Sequence, residues 1–156
     1  MEVRIKTDTM TPQMKRMLRK IQNRRPVLRE IGTEASSMAR RAFTDESLRP
    51  TRWDDLAEST KAKKAAAGKG SSPLIWSGTM ARSPRVSHVD NEVVHISSDR
   101  AEGAYSIAAI HQLGAPKRKI PPRPFFPFTS DGKATPRLRQ RIQEIITRWG
   151  RKLGFS

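Results

Sequence analysis

The chain has no cysteine. It can build neither a disulfide framework nor a thiolate metal site, which fits a reducing compartment. Acidic residues are scarce: 15 Asp and Glu stand against 31 Lys and Arg, a formal net charge of +16. Bulky apolar residues are scarce too, with Leu, Ile, Val and Phe supplying 30 of 156 positions. So little apolar bulk under so much charge leans toward weak independent stability. No apolar run approaches the roughly 18–20 residues that cross a bilayer, and "MEVRIKTDTM" lacks the apolar core of a secretion signal. These absences predict one thin two-layer domain over 1–156, made in the cytosol and completed by oligomeric neighbours.

The charge is uneven. Residues 1–43 hold 11 basic and 4 acidic residues, 44–116 hold 9 of each, and 117–152 hold 11 and 2. The positive field belongs to the two ends of the sequence.

Met1, Val3 and Ile5 alternate with Glu2, Arg4 and Lys6, the period of a half-buried strand. Thr11-Pro12 reads as an N-cap followed by proline at the first helical position. Met14, Met17, Leu18 and Ile21 follow at helical spacing until Pro26 interrupts. Val27, Leu28, Ile31, Ala35, Met38, Ala39 and Ala42 then predict a long amphipathic helix to about Phe43. Trp53 anchors the next segment, and "STKAKKAAAGKGSS" reads as a helix end running into a flexible basic loop over 61–73. Leu74, Ile75 and Trp76 predict a buried approach to a turn at Gly78. Two β-prone runs flank Asp90-Asn91, a hairpin signal. "AEGAYSIAAIHQLG" predicts a short helix closing at Gly114. "KRKIPPRPFFPF" is too rich in proline for a helix or a central strand. After Thr135-Pro136, a second N-cap signal, Leu138, Ile142, Ile145, Ile146, Trp149 and Leu153 form one apolar stripe. The fold class this order predicts is α+β. A small antiparallel sheet is packed on one face by the long N-terminal helix and the C-terminal amphipathic helix, with a flexible basic loop and a Pro-rich loop.

Catalytic chemistry finds little support. His88 and His95 lie across the hairpin, but no cysteine or helical His/Asp/Glu pair joins them into a metal set. Asp45-Glu46 and Asp54-Asp55 are adjacent pairs, which suit the first turn of a helix better than acid–base work. Ser77-Gly78 lacks the flanking residues of a nucleophile elbow, and "GKGSS" lacks the spacing of a phosphate loop. No cofactor and no small-molecule substrate is implied. The basic ends suit a salt-sensitive, non-specific contact with nucleic acid, although every base-reading module is missing.

Three pieces stand in a telling order: "LIWSGTMARS" (74–83), "AIHQLG" (109–114) and "IPPRPFFPF" (120–128). Together they resemble the phage virion morphogenesis family, typified by the Mu gpG-like tail-completion and neck proteins of tailed phages. Trp53, Leu56 and Thr60 look like that family's W-x-x-L-x-x-x-T segment, and the resemblance covers roughly residues 14–150. The chain departs from the family pattern at Met80, Pro84 and Ser106, in the longer gap through Ile107-Ala108, and at Pro122, Phe126 and Pro127. These departures bear on the shape of the loops.

The resemblance implies a structural virion protein with no catalytic residues, acting in tail completion and head–tail joining as a ring in the neck around a DNA channel. Its partners would be copies of itself and other neck, portal or tail-terminator proteins, with no membrane involved. The alternatives are a basic non-specific nucleic-acid-binding protein and a transient assembly factor absent from the mature particle. The motif residues His111, Gln112, Gly114, Pro121, Arg123, Pro124, Phe125, Phe126 and Phe128 are the expected interface set. The three phenylalanines divide between the core and neighbouring subunits. Arg123 either pairs with an acidic neighbour or a backbone carbonyl, or braces its own loop. Lys117, Arg118, Lys119, Arg137, Arg141 and Arg148 are the cations expected to face DNA or a partner.

Overall fold

The computed structural model describes residues 1–6 and 10–154, Lys6 by its backbone alone. The outward place expected of the Lys6 side chain therefore falls outside the described residues. The fold is α+β. Strand β1 (Glu2–Lys6) buries Ile5 completely while Glu2 and Arg4 stay exposed, as the alternation requires. β2 (Arg85–Val89) and β3 (Val93–Ser97) form the predicted hairpin. The turn has no glycine. Instead the Asp90 carboxylate accepts the N–H groups of Glu92 and Val93 at 2.7 and 2.8 Å. Those backbone donors hold the Asp90 carboxyl down at about 2. β1 pairs with β3, so the antiparallel order is β1–β3–β2, with a bulge between Val86 and His88.

Helices α1 (Pro12–Lys20) and α2 (Arg25–Arg41) follow the predicted break. Thr11 caps α1 by accepting from Met14 N–H at 3.3 Å. α2 lies across β2 and β3 and comes closest at Gly32, where an added Cβ would meet Val94 Cγ2 at 2.4 Å. Only glycine permits that approach. The last helix, α6 (Pro136–Lys152), packs on α1 and α2 through Leu138, Ile142, Ile145 and Ile146, all buried. Helices thus cover one face of the small sheet, and the other face leaves His88 exposed and His95 partly exposed.

Several expectations are corrected. The basic segment expected to be loop over 61–73 is helical in its first part, because α3 runs Glu58–Ala66. Lys64 is the reason that end of the segment is tied down. Its buried ammonium donates to the carbonyls of Ser72 (3.0 Å) and Ile75. The same ammonium lies over the Trp76 ring at 6.0 Å, and the indole is 53% exposed where a buried approach was expected. Asp54 and Asp55 are not first-turn acids; they lie in an irregular segment before α3. "AEGAYS" is not helical. It forms a tight hairpin, β4 (Ala101–Glu102) and β5 (Tyr105–Ser106), turning at Gly103 with φ +56°. Leu153 leaves the apolar stripe, 47% exposed, because α6 ends one residue before it.

Candidate functional site

After the short helix α4 (Thr79–Arg82), the motif residues converge on one place, where helix α5 (Ile107–Leu113) meets the Pro-rich stretch that follows. Ser106 caps α5, its hydroxyl accepting from Ala109 N–H at 3.2 Å. Gly114 ends it with φ +78°, and a Cβ there would meet Pro122 N at 3.0 Å and Ile120 O at 3.2 Å. The Pro-rich stretch therefore lies directly against the helix end. Arg123 N–H donates to His111 O at 2.6 Å.

Gln112 is buried and points at the stretch. Its Oε1 accepts from Phe125 N–H at 2.9 Å and Phe126 N–H at 3.0 Å, so one side chain satisfies two buried donors. The buried Arg123 reaches the other way. Its guanidinium donates to Asp54 O and Asp55 O, three bonds of 3.0–3.2 Å. Trp53 Nε1–H closes the set by donating to Pro124 O at 2.8 Å. The sequence readings of Arg123 are thereby decided: it braces its own chain through backbone carbonyls.

The phenylalanines turn inward. Phe125 and Phe126 have no exposure and Phe128 very little. Phe125 stacks between Phe43 (5.1 Å) and Phe126 (4.9 Å), with Trp53 edge-on to Phe43 at 82°. Full burial of each such ring is worth on the order of 1.5–3 kcal/mol. The expected division between core and neighbours is corrected: all three belong to the core of their own chain. In a chain so short of apolar bulk, the stretch that covers the sheet–helix core has to supply the aromatics.

His111 is half-buried, and its Nδ1 has no hydrogen-bond partner among the described residues. Burial first, then the charge of Arg123, pushes the imidazole below its ordinary value. Asp54, Asp55 and Thr60 line the same groove as His111, but among the described residues none of them hydrogen-bonds its Nδ1. His88 and His95 do approach, with ring centroids 5.2 Å apart, but each is held by its own acid, Asp90 at 3.1 Å and Glu2 at 2.9 Å. Among the described residues no group of three or more His, Asp or Glu side chains gathers to hold a metal. No helix there is long and apolar enough to cross a membrane.

The candidate basic residues separate into two groups. Lys117, Arg118 and Lys119 are exposed on a short 3-10 turn, with Arg118 over the Tyr105 ring at 4.5 Å. Arg137, Arg141 and Arg148 share one side of α6 and reach across. Arg137 donates to Ser47 Oγ at 3.2 Å, Arg141 to Glu34 at 3.2 Å and to Glu144, and Arg148 to Glu30. Glu30 also accepts from Trp149 Nε1–H at 2.7 Å. These arginines clamp α6 to its neighbours. Local sequence reading missed Gln112 as a double acceptor, Lys64 as a buried brace and Asn91 as a cap. Each acts on residues whose proximity is created by folding.

The fold and this lock define a basic α+β domain whose motif residues hold their own chain together. The sequence profile of the phage virion morphogenesis family matches residues 5–149, nearly the whole chain, and the protein belongs to that family. No curated protein and no solved structure matches it. The family is one of structural virion proteins, not known as enzymes, and membership gives the protein a role in phage virion assembly.

Proposed function

We propose that the protein is a tail-completion and head–tail joining subunit that acts as a ring in the virion neck, around the DNA channel. The observation that carries this reading is where the charge lies. Helices α1, α2 and α6, which pack together, hold 14 basic and 3 acidic residues, +11 of the +16. A subunit with one strongly positive layer, repeated around an axis, sums its field over the channel. The cations of that layer with no ion-pair partner among the described residues include Arg16, Arg19, Arg139 and Arg151. These, more than the clamped Arg141 and Arg148, suit a polyanion or an acidic portal or tail-terminator surface.

Electron microscopy of virions with the chain tagged tests the reading. Copies are expected at the head–tail junction, arranged as a ring with the helical layer toward the axis. Mature particles without the chain would overturn the neck role and favour a transient assembly factor.

A further inference from the structure

Two cations are buried in this chain with no ion pair among the described residues. Lys64 is 4% exposed and Arg123 7% exposed, and both line one groove of about 690 Å³. Lys64 has three ammonium protons and gives two of them to the carbonyls of Ser72 and Ile75. Arg123 spends its Nε and Nη2 donors on the carbonyls of Asp54 and Asp55. The third ammonium proton and the Nη1 group have no partner among the described residues. Carbonyl dipoles hold a buried charge but leave it uncompensated, and an unpaired buried charge is costly.

The rest of the groove narrows what would meet these charges. Its walls are apolar: Leu56, Leu74, Ile75, Met80 and Ile120, with the half-exposed Trp76 indole. His111, whose buried Nδ1 has no partner among the described residues, lines it too. Asp54, Asp55 and Lys119 are the other charged residues there, all exposed. Among the described residues neither carboxylate pairs with Lys64 or Arg123; only the two main-chain carbonyls do. The volume lies in the range of built ligand sites, roughly 300–1,000 Å³. Recessed cations between apolar walls suit a carboxylate carried on a side chain with apolar neighbours. A duplex backbone is broad and is met by cations on open faces. A second copy at +16 brings repulsion instead of the missing negative charge.

We infer that this groove binds an acidic and apolar segment of a partner polypeptide. Glu or Asp side chains of that segment pair with Lys64 and Arg123, while its apolar side chains pack on Trp76, Leu74 and Met80. The site goes beyond the neck reading by naming what a partner presents, and it stands wherever in the virion the chain acts.

Helix α3 offers a test that needs no knowledge of the partner. Thr60 is exposed, lines the groove and stands four residues before Lys64, on the same helical face. Thr60→Glu therefore brings a carboxylate to the ammonium from its own chain. Ser59→Glu adds the same charge to α3 outside the groove. Thr60→Glu is expected to melt about 2–4 °C above Ser59→Glu, read by circular dichroism, which also verifies that both are folded. The second probe is the peptide acetyl-Glu-Phe-Glu-Leu-amide, with its Gln-Phe-Gln counterpart as the neutral form. NMR registers even weak binding. The acidic peptide is expected to shift the Trp76 indole and the Ile75 and His111 amides, with a Kd at least about 10-fold below that of the neutral one. Thr60→Glu is expected to remove that binding and Ser59→Glu to leave it. Equal melting of the two variants, no shifts at the groove, equal binding of the two peptides, or binding that survives Thr60→Glu would each overturn the inference. A short DNA duplex that shifts these resonances more than the acidic peptide does would assign the groove to nucleic acid and overturn it as well. The neck reading is judged separately, by the position of the chain in the virion.

Discussion

Gln112 shows how a single side chain can carry a fold. Proline cannot donate a backbone hydrogen bond, so in "IPPRPFFPF" the donors that remain are few and must be satisfied. Two of them, Phe125 N–H and Phe126 N–H, end on Gln112 Oε1. Gln112→Leu keeps the volume and removes the acceptor, leaving both donors buried. A loss of about 2–4 kcal/mol is expected, read as a lower urea midpoint with an unchanged slope. The same substitution at exposed Gln140 should cost almost nothing. The residue types of this site were legible in the sequence, and the resemblance singled them out. Their direction was not. Nothing local tells whether a phenylalanine after a proline faces inward, because that depends on Phe43 and Trp53, which lie far away in the chain.

At the scale of elements, caps and periods were the legible part. Thr11 and Thr135 start their helices as the Thr-Pro pairs predict, and the stripe of α6 is buried as spaced at Leu138, Ile142, Ile145 and Ile146, with Trp149 partly buried and Leu153 exposed. Helix α2 is different. Its N-cap, Arg24, makes no capping bond of its own. Asn91 in the β2–β3 turn supplies one, its Oδ1 accepting from Arg24 N–H at 3.0 Å and Arg25 N–H at 2.9 Å. The hairpin therefore caps the helix that packs on it. Asn91→Ala is expected to cost about 1 kcal/mol and to speed amide exchange in the first turn of α2 while leaving α6 unchanged. Equal exchange rates in that turn before and after substitution would refute the cap. Asn91 was visible in the sequence as a turn residue; its second task needs a tertiary contact across 66–67 positions.

At the scale of the whole molecule, charge and burial oppose each other. With +16 on a small domain, self-repulsion destabilises the compact state, while the exposed ion pairs each contribute little. Stability is expected to rise when salt is raised from low to physiological strength, where the screening length shortens to about 8 Å. Urea midpoints across salt concentrations check this, and a midpoint that falls would mean that the α2–α6 ion pairs outweigh the repulsion. The sequence by itself determined the class of fold, the main helices and the hairpin, the family and the charge. Those properties follow from period, capping residues, ordered motifs and composition, which are local or additive along the chain. Only the tertiary structure decided that Phe125 and Phe126 are core, that Trp76 and Leu113 are surface, and that Arg137, Arg141 and Arg148 of α6 are clamps. Those outcomes depend on which distant residues meet. An Arg is a free cation or a clamp, and a Phe an anchor or a core ring, according to the neighbour that folding brings within about 4 Å.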